Sequence, residues 1–283
     1  SFCEALLRHG EFRSPQRFDV LHSHYWLSGQ IGWAAARHLA VPWVHSRHTR
    51  ARGENAKRAL GEPAESADRI HGEEQIVSAS DLLVANTDAE AAPLGTSYQA
   101  APDRIAVVHP GVGLHRFSPA RESKALLRRR LGLRPDAATL LFVGRLQPLK
   151  APDVAVRALA ELVARGSPGA GPIQLVVCGG PSGANGIQPS ALASLAGDLG
   201  IGDLVQIRPP VEQTALAELY RAADLTLVPS YSESFGLVAL ESQASGTPAV
   251  ATDVGGLATA VADGGVGLLV RGHDPRSGAR SLE

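Results

Sequence analysis

Methionine does not occur in this 283-residue sequence, and lysine occurs only at Lys57, Lys124 and Lys150. The first absence leaves the sequence without an initiator. The second fits a GC-rich coding bias, since arginine greatly outnumbers lysine, and it singles out Lys150 among the cations. Two cysteines, Cys3 and Cys178, exclude a disulfide framework and a four-cysteine zinc site. No apolar run is long enough to span a bilayer, and no charged-then-apolar leader marks export. The expected location is the cytoplasm. A net charge of -1 supplies no basic field, so neither a nucleic-acid partner nor insertion into a membrane is expected.

What is present reads as a globular α/β protein. A content of 44% hydrophobic and 19% charged residues is enough for a buried core, and the length favours two domains. Short apolar strands alternate with helical segments. Phe18 to His22 reads as a strand, Ser28 to Ala40 as a helix, Val41 to Val44 as a strand and Arg69 to Ser80 as a helix. Asp81 to Asn86 and Arg104 to Val108 follow as strands. This alternation predicts βαβ units and a parallel sheet. Pro110 and Gly111 punctuate a linker, which divides the chain into 1–109 and 110–283. A second alternation then runs from the strand Thr139 to Val143, through Ile173 to Cys178, Val205 to Ile207, Leu225 to Pro229 and Ala249 to Thr252, to Gly264 to Val270. The run Arg128, Arg129 and Arg130 reads as a solvated helix face. Both domains are expected to be incomplete, the first at its start and the second at its end.

Two segments carry chemistry. Gly144-Arg145-Leu146-Gln147-Pro148-Leu149-Lys150 follows a strand directly, where ligands of doubly wound sheets bind. Arg145 and Lys150 offer a planar fork and a point charge to a diphosphate; two solvated surface cations are the plainer alternative. Glu233-Ser234-Phe235-Gly236-Leu237-Val238-Ala239-Leu240-Glu241 follows the strand Leu225 to Pro229 and opens a helix. The N–H groups of Phe235, Gly236 and Leu237, with the helix dipole, would make an anion site. Gly236 would let a ligand approach the backbone. Glu233 could accept from sugar hydroxyls and Glu241 from ribose hydroxyls. The plainer alternative makes Glu233 a helix-start carboxylate and Glu241 an exposed one.

The order Gly-Arg-Leu…Lys, then Glu-x7-Glu around Ser-Phe-Gly, then Gly-Thr-Pro and Val-Gly-Gly, resembles the family 4 retaining glycosyltransferases. The resemblance implies the GT-B fold, two Rossmann-like doubly wound domains facing a cleft. It implies that Arg145 and Lys150 hold a diphosphate, Glu233 the donor sugar and Glu241 the ribose. Ala151 stands where that family usually has glycine. His22-Ser23-His24-Tyr25-Trp26-Leu27-Ser28-Gly29 and Cys178-Gly179-Gly180-Pro181-Ser182-Gly183 resemble, within it, the enzymes that glycosylate inositol 3-phosphate in mycothiol biosynthesis. That closer resemblance implies transfer of N-acetylglucosamine from UDP-GlcNAc to 1L-myo-inositol 3-phosphate with retention. It implies acceptor contacts at Tyr25, Thr49 and Arg69, a donor-side histidine at His48 and a uracil contact at Val211. It also implies magnesium near Tyr220, Arg221, Ala223 and Thr247, and it admits a homodimer. No organic cofactor is expected.

Other readings follow from the same residues. Another member of that family could use a sucrose-type, lipid-linked or polysaccharide acceptor. A non-catalytic nucleotide-sugar-binding remnant is another reading, against which the intact Arg145, Lys150, Glu233 and Glu241 set speaks. A nicotinamide enzyme would need Gly-x-Gly-x-x-Gly after a strand, which Gly179 to Gly183 does not supply.

Overall fold

The structure is a computed structural model. It describes Glu4, Ala5, Arg8 and residues 18–46, 66–166, 171–183, 185–261 and 264–274. The expected site residues His48 and Thr49 lie outside the described residues. The chain divides into two compact units, Ser1–Pro110 and Gly111–Glu283.

The first unit is built on four parallel strands, β1 (Leu21–His24), β2 (Trp43–Ser46), β3 (Leu82–Ala85) and β4 (Ile105–Val107), in the spatial order of the sequence. Its helices are α1 (Tyr25–Leu39), α2 (Ala67–Ala79) and α3 (Asp88–Tyr98). Helix α1 begins earlier than the expected Ser28, because β1 turns into it without a loop. Tyr25 makes that turn at φ 69°, a left-handed conformation costly for an aromatic residue. Helix α1 then lies close to its neighbours, since a Cβ on Gly29 would come within 2.5 Å of Ile76 in α2. Helix α3 is absent from the sequence reading because Pro93 interrupts its pattern. Its start is nevertheless signalled. Thr87 accepts from the Glu90 N–H (3.2 Å), and the Glu90 carboxylate accepts from the Asn86 N–H (3.1 Å).

The second unit carries six parallel strands: β5 (Ala138–Val143), β6 (Ile173–Cys178), β7 (Val205–Arg208), β8 (Leu225–Val228), β9 (Ala249–Thr252) and β10 (Gly267–Val270). Their order is β10-β9-β8-β5-β6-β7. Strands β5, β6 and β8 are buried on both faces, so they read as apolar runs rather than alternating ones. Helices α4 (Lys124–Arg130), α5 (Pro152–Arg165), α6 (Pro189–Asp198), α7 (Gln213–Ala222), α8 (Leu237–Ala244) and α9 (Leu257–Ala260) complete the unit.

In the arginine run of α4, Arg129 and Arg130 are exposed as expected, but Arg128 is not. Arg128 is buried, donates to the Ala222 carbonyl (2.9 Å) and pairs with Asp224. Arg130 pairs with Glu122 (2.8 Å) and Glu218 (2.9 Å). These arginines satisfy carboxylates and the carbonyl end of α7, a demand that lies too far along the sequence to be seen in the run itself. Among the described residues no helix is long and apolar enough to cross a membrane.

Candidate functional site

The spatial order of the second sheet reverses between β5 and β8: the chain moves outward through β6 and β7, then returns to add β8, β9 and β10 on the other side. A crevice forms at the carboxyl ends of strands where the order switches. The two segments singled out in the sequence are the loops leaving those two strands.

The loop after β5 leans on the loop after β6. Gly144 donates to the Cys178 carbonyl (3.1 Å) and Leu146 to that of Gly180 (2.8 Å). The loop after β8 is tied on two sides. The Tyr231 N–H donates to the Leu149 carbonyl (2.9 Å), and the Gly256 N–H to that of Glu233 (2.9 Å). A Cβ on Gly256 would lie 2.2 Å from the Ser234 carbonyl oxygen. The Val-Gly-Gly motif is therefore a place of close backbone approach, and it fixes the loop that carries Glu233.

These ties bring together residues 83 apart in sequence. Lys150 Nζ donates to Glu233 Oε2 at 2.5 Å, with the two side chains 18% and 17% exposed. Ser230 Oγ lies 3.5 Å from the same oxygen. Arg145 is exposed on the same loop and has no ion-pair partner among the described residues. An arriving diphosphate would compete with Glu233 for Lys150, and the released carboxylate would be an acceptor for sugar hydroxyls.

Helix α8 opens beside this pair. Gly236 caps it at φ 102°, a left-handed value that favours glycine. The N–H groups of Gly236 and Leu237 have no acceptor among the described residues, so the positive end of α8 is open to an anion. The Phe235 side chain is buried beneath it. Glu241 stands further along α8, and its Oε2 accepts from the Tyr220 hydroxyl at 3.0 Å. Burial pushes the Glu241 carboxyl above the usual carboxylate range, partly offset by that hydrogen bond. Burial, then the neighbouring Glu241 charge, pushes the Tyr220 phenol well up. Val211 is exposed on the loop after β7, with its backbone N–H directed at Cys178.

Two of the carbonyls expected near magnesium already have internal donors. Both lone pairs of the Tyr220 carbonyl are used, by the Thr247 hydroxyl (2.6 Å) and the Ala223 N–H (3.1 Å). The Ala223 carbonyl accepts from Lys124 (2.6 Å) and Thr247 (3.3 Å). Arg221 donates to the Arg116 and Ser118 carbonyls (2.6 and 2.7 Å). The adjacent carboxylate, Asp224, is held by Lys124, Arg128 and the Thr139 N–H. Among the described residues no group of three His, Cys, Asp or Glu side chains is placed to hold a metal ion.

In the first unit, the structure brings two of the expected acceptor residues together. The Arg69 guanidinium carbon lies 5.6 Å from the centre of the Tyr25 ring. Arg69 is buried rather than an exposed helix cation, and its Nε donates to Glu73 at 3.1 Å. Tyr98 donates to the other Glu73 oxygen at 2.6 Å. At the ends of β1 and β2, His22 bonds Ser46 (2.8 Å), and His45 bonds Ser23 (2.8 Å). These histidines serve hydrogen bonding at the strand ends.

Four supporting residues escape a sequence reading: Glu73, Tyr98, the Tyr220 side chain and His273. His273 stacks on Tyr231 at 3.9 Å and contacts the Ser230 carbonyl at 3.0 Å. The only prior signal was that Glu73 falls four residues after Arg69 on a helix.

Residues 123–283 match the model described as glycosyl transferases group 1, and residues 2–111 match a glycosyl transferase 4-like domain. The chain belongs to the group 1 glycosyl transferases. This glycosyl transferase is 56% identical over 283 residues to the D-inositol 3-phosphate glycosyltransferase of Thermobispora bispora, covering 100% of this chain and 65% of the relative. To D-inositol 3-phosphate glycosyltransferase 2 of Catenulispora acidiphila it is 54% identical, covering 97% and 64%. The chain thus spans less than two thirds of the length of these curated relatives. Among solved structures, it resembles sucrose-phosphate synthase from Thermosynechococcus elongatus with a TM-score of 0.82 at 28% identity, over 99% of this chain and 67% of that one. Anabaena HepE in complex with UDP-glucose gives a TM-score of 0.80 at 18% identity, over 98% and 70%, and shows the fold alone. The fold is the GT-B type, with two Rossmann-like domains.

Proposed function

We propose that this glycosyl transferase moves N-acetylglucosamine from UDP-GlcNAc to 1L-myo-inositol 3-phosphate with retention, in the cytoplasm, as a step of mycothiol biosynthesis. The observation that carries the proposal is the Lys150–Glu233 pair at the strand-order switch, beside the open end of α8. The names of the similar proteins support the acceptor.

On this reading the donor diphosphate draws Lys150 away from Glu233, joins Arg145 and rests on the N–H groups of Gly236 and Leu237. The sugar–phosphate bond breaks toward an oxocarbenium-like state, and these cationic groups stabilise the charge growing on the departing phosphate. The freed Glu233 carboxylate accepts from sugar hydroxyls and fixes the ring; it is a positioning group, not a nucleophile. Glu241 takes the ribose hydroxyls and Val211 borders the base. The acceptor hydroxyl attacks from the face the phosphate leaves, and its proton passes to that phosphate. In the first unit Arg69, against Tyr25, is the phosphate ligand for the acceptor; Thr49 as an acceptor contact and His48 as a donor-sugar contact lie outside the described residues. The steps proposed use no magnesium, and the Tyr220 and Ala223 carbonyls accept from internal donors.

The test is UDP release from UDP-GlcNAc by the full chain, with inositol 3-phosphate or plain inositol as acceptor. Release that needs the phosphorylated acceptor is the expected result. No release with either one would leave a group 1 glycosyl transferase with a different acceptor.

A further inference from the structure

We propose that Tyr220 is a positioning residue of the donor site: its buried hydroxyl holds one oxygen of Glu241 and so presents the other to the ribose hydroxyls of the nucleotide. The proposal rests on the reading of Glu241 as the ribose acceptor and adds to it the group that aims that carboxylate.

Tyr220 lies in the last turn of α7, fully buried, with its ring edge against Phe117 at 6.0 Å between centres. Its backbone is fixed separately, by the Thr247 hydroxyl on its carbonyl at 2.6 Å. The phenol therefore has a set direction, and its hydroxyl reaches Glu241 Oε2 at 3.0 Å. Among the described residues, no other group bonds the Glu241 carboxylate. A glutamate side chain left free would have to lose its rotamer freedom when the nucleotide binds; the phenol makes that ordering part of folding.

The chemistry of the donor also matters. A lysine or arginine at this place would neutralise the carboxylate and compete with the ligand for its lone pairs. A neutral hydroxyl orients one oxygen and leaves the charge and the second oxygen to a diol. A half-buried carboxylate without a described cationic partner is held above its usual acidity range.

The proposal is tested by calorimetric binding of UDP and 2′,3′-dideoxy-UDP to the full chain and to Tyr220→Phe. UDP affinity is expected to fall about five- to tenfold in the variant, with dideoxy-UDP changed less than twofold. The KM for the donor should rise in step while kcat stays within about twofold. Equal losses for both ligands, or no loss for either, would overturn the proposal. Glu241→Gln separates the two levels. If it fails to discriminate between the ligands, the ribose reading is wrong. If it discriminates and Tyr220→Phe does not, only the positioning role is wrong. Should the phenylalanine variant not fold, 3-fluorotyrosine at position 220 keeps ring and hydroxyl but strengthens the donor. An altered affinity for UDP alone is then expected, and an unchanged one overturns the proposal.

Discussion

Each unit holds a helix carboxylate with a tyrosine hydroxyl, and the two arrangements differ in what is left over. In the first unit Tyr98 takes one oxygen of Glu73 at 2.6 Å and Arg69 takes the other at 3.1 Å. The carboxylate is consumed, and it holds the Arg69 guanidinium beside the Tyr25 ring. In the second unit Tyr220 takes one oxygen of Glu241, and the other has no described partner. There the carboxylate itself remains. On the proposed function, the first pattern orders a cation beside Tyr25 and the second leaves an anion for hydroxyl groups.

The largest effect expected falls on the ion pair of the second unit. Lys150→Ala should lower kcat/KM by on the order of 10²–10³-fold, the usual cost of removing one group that stabilises developing charge. The loss should appear with every acceptor, because it concerns the departing phosphate. A loss confined to one acceptor would move Lys150 out of the donor site. In the first unit, Glu73→Ala should cost about 1.5–3 kcal/mol in a denaturant series, since it removes the buried carboxylate that accepts from Arg69 and Tyr98. A change below about 1 kcal/mol would mean that Arg69 is held by other groups.

The two units also differ in how much of them could be read from residues alone. In the second, Arg145, Lys150, Glu233 and Glu241 carry their meaning in spacing: a loop after a strand, then a loop-to-helix start with carboxylates at both ends. What spacing omits is the order of strands, which puts β5 beside β8 and closes Lys150 onto Glu233. It also omits the partners of the arginine run, because the demand for Arg128 comes from Ala222 and Asp224. In the first unit the strands are short and their ends are polar. Arg69 then reads as a surface cation until Glu73, Tyr98 and Tyr25 are seen around it. Helix α3 was hidden by Pro93, although its Thr87…Glu90 start was in plain view.

A smaller effect concerns protonation of the leftover carboxylate. Glu241 is the stronger hydroxyl acceptor when ionised, and its folded carboxyl titrates above the usual carboxylate range. Affinity for uridine, which has no phosphate to titrate, should therefore fall several-fold as pH drops through that raised value. The effect on stability has the opposite sign. The folded chain keeps this proton where the unfolded chain has lost it, so the contribution is fully present below the ordinary carboxylate value and is lost as pH rises through the raised one. Isothermal titration across that window should show the slope in the natural protein and a flat line in Glu241→Gln. A slope that survives the substitution would assign the titration to another group.

The smallest effect is expected where this sequence has alanine and the family usually has glycine. Ala151 sits at φ 52° and is fully buried, between the Lys150 loop and the Pro152 start of α5. The left-handed conformation costs an alanine about 1 kcal/mol. Glycine would remove that strain but also remove a buried methyl, worth about 0.8 kcal/mol, and would loosen the unfolded chain by about 0.4–1 kcal/mol. The terms nearly cancel, so Ala151→Gly should stay within about 1 kcal/mol of neutral in urea. The donor KM should not move, because Lys150 is placed by bonds on its other side, from Tyr231 to the Leu149 carbonyl and from Leu146 to that of Gly180. A raised KM would instead make the strained alanine part of what aims Lys150 at Glu233. The second unit would then depend on backbone strain at its site.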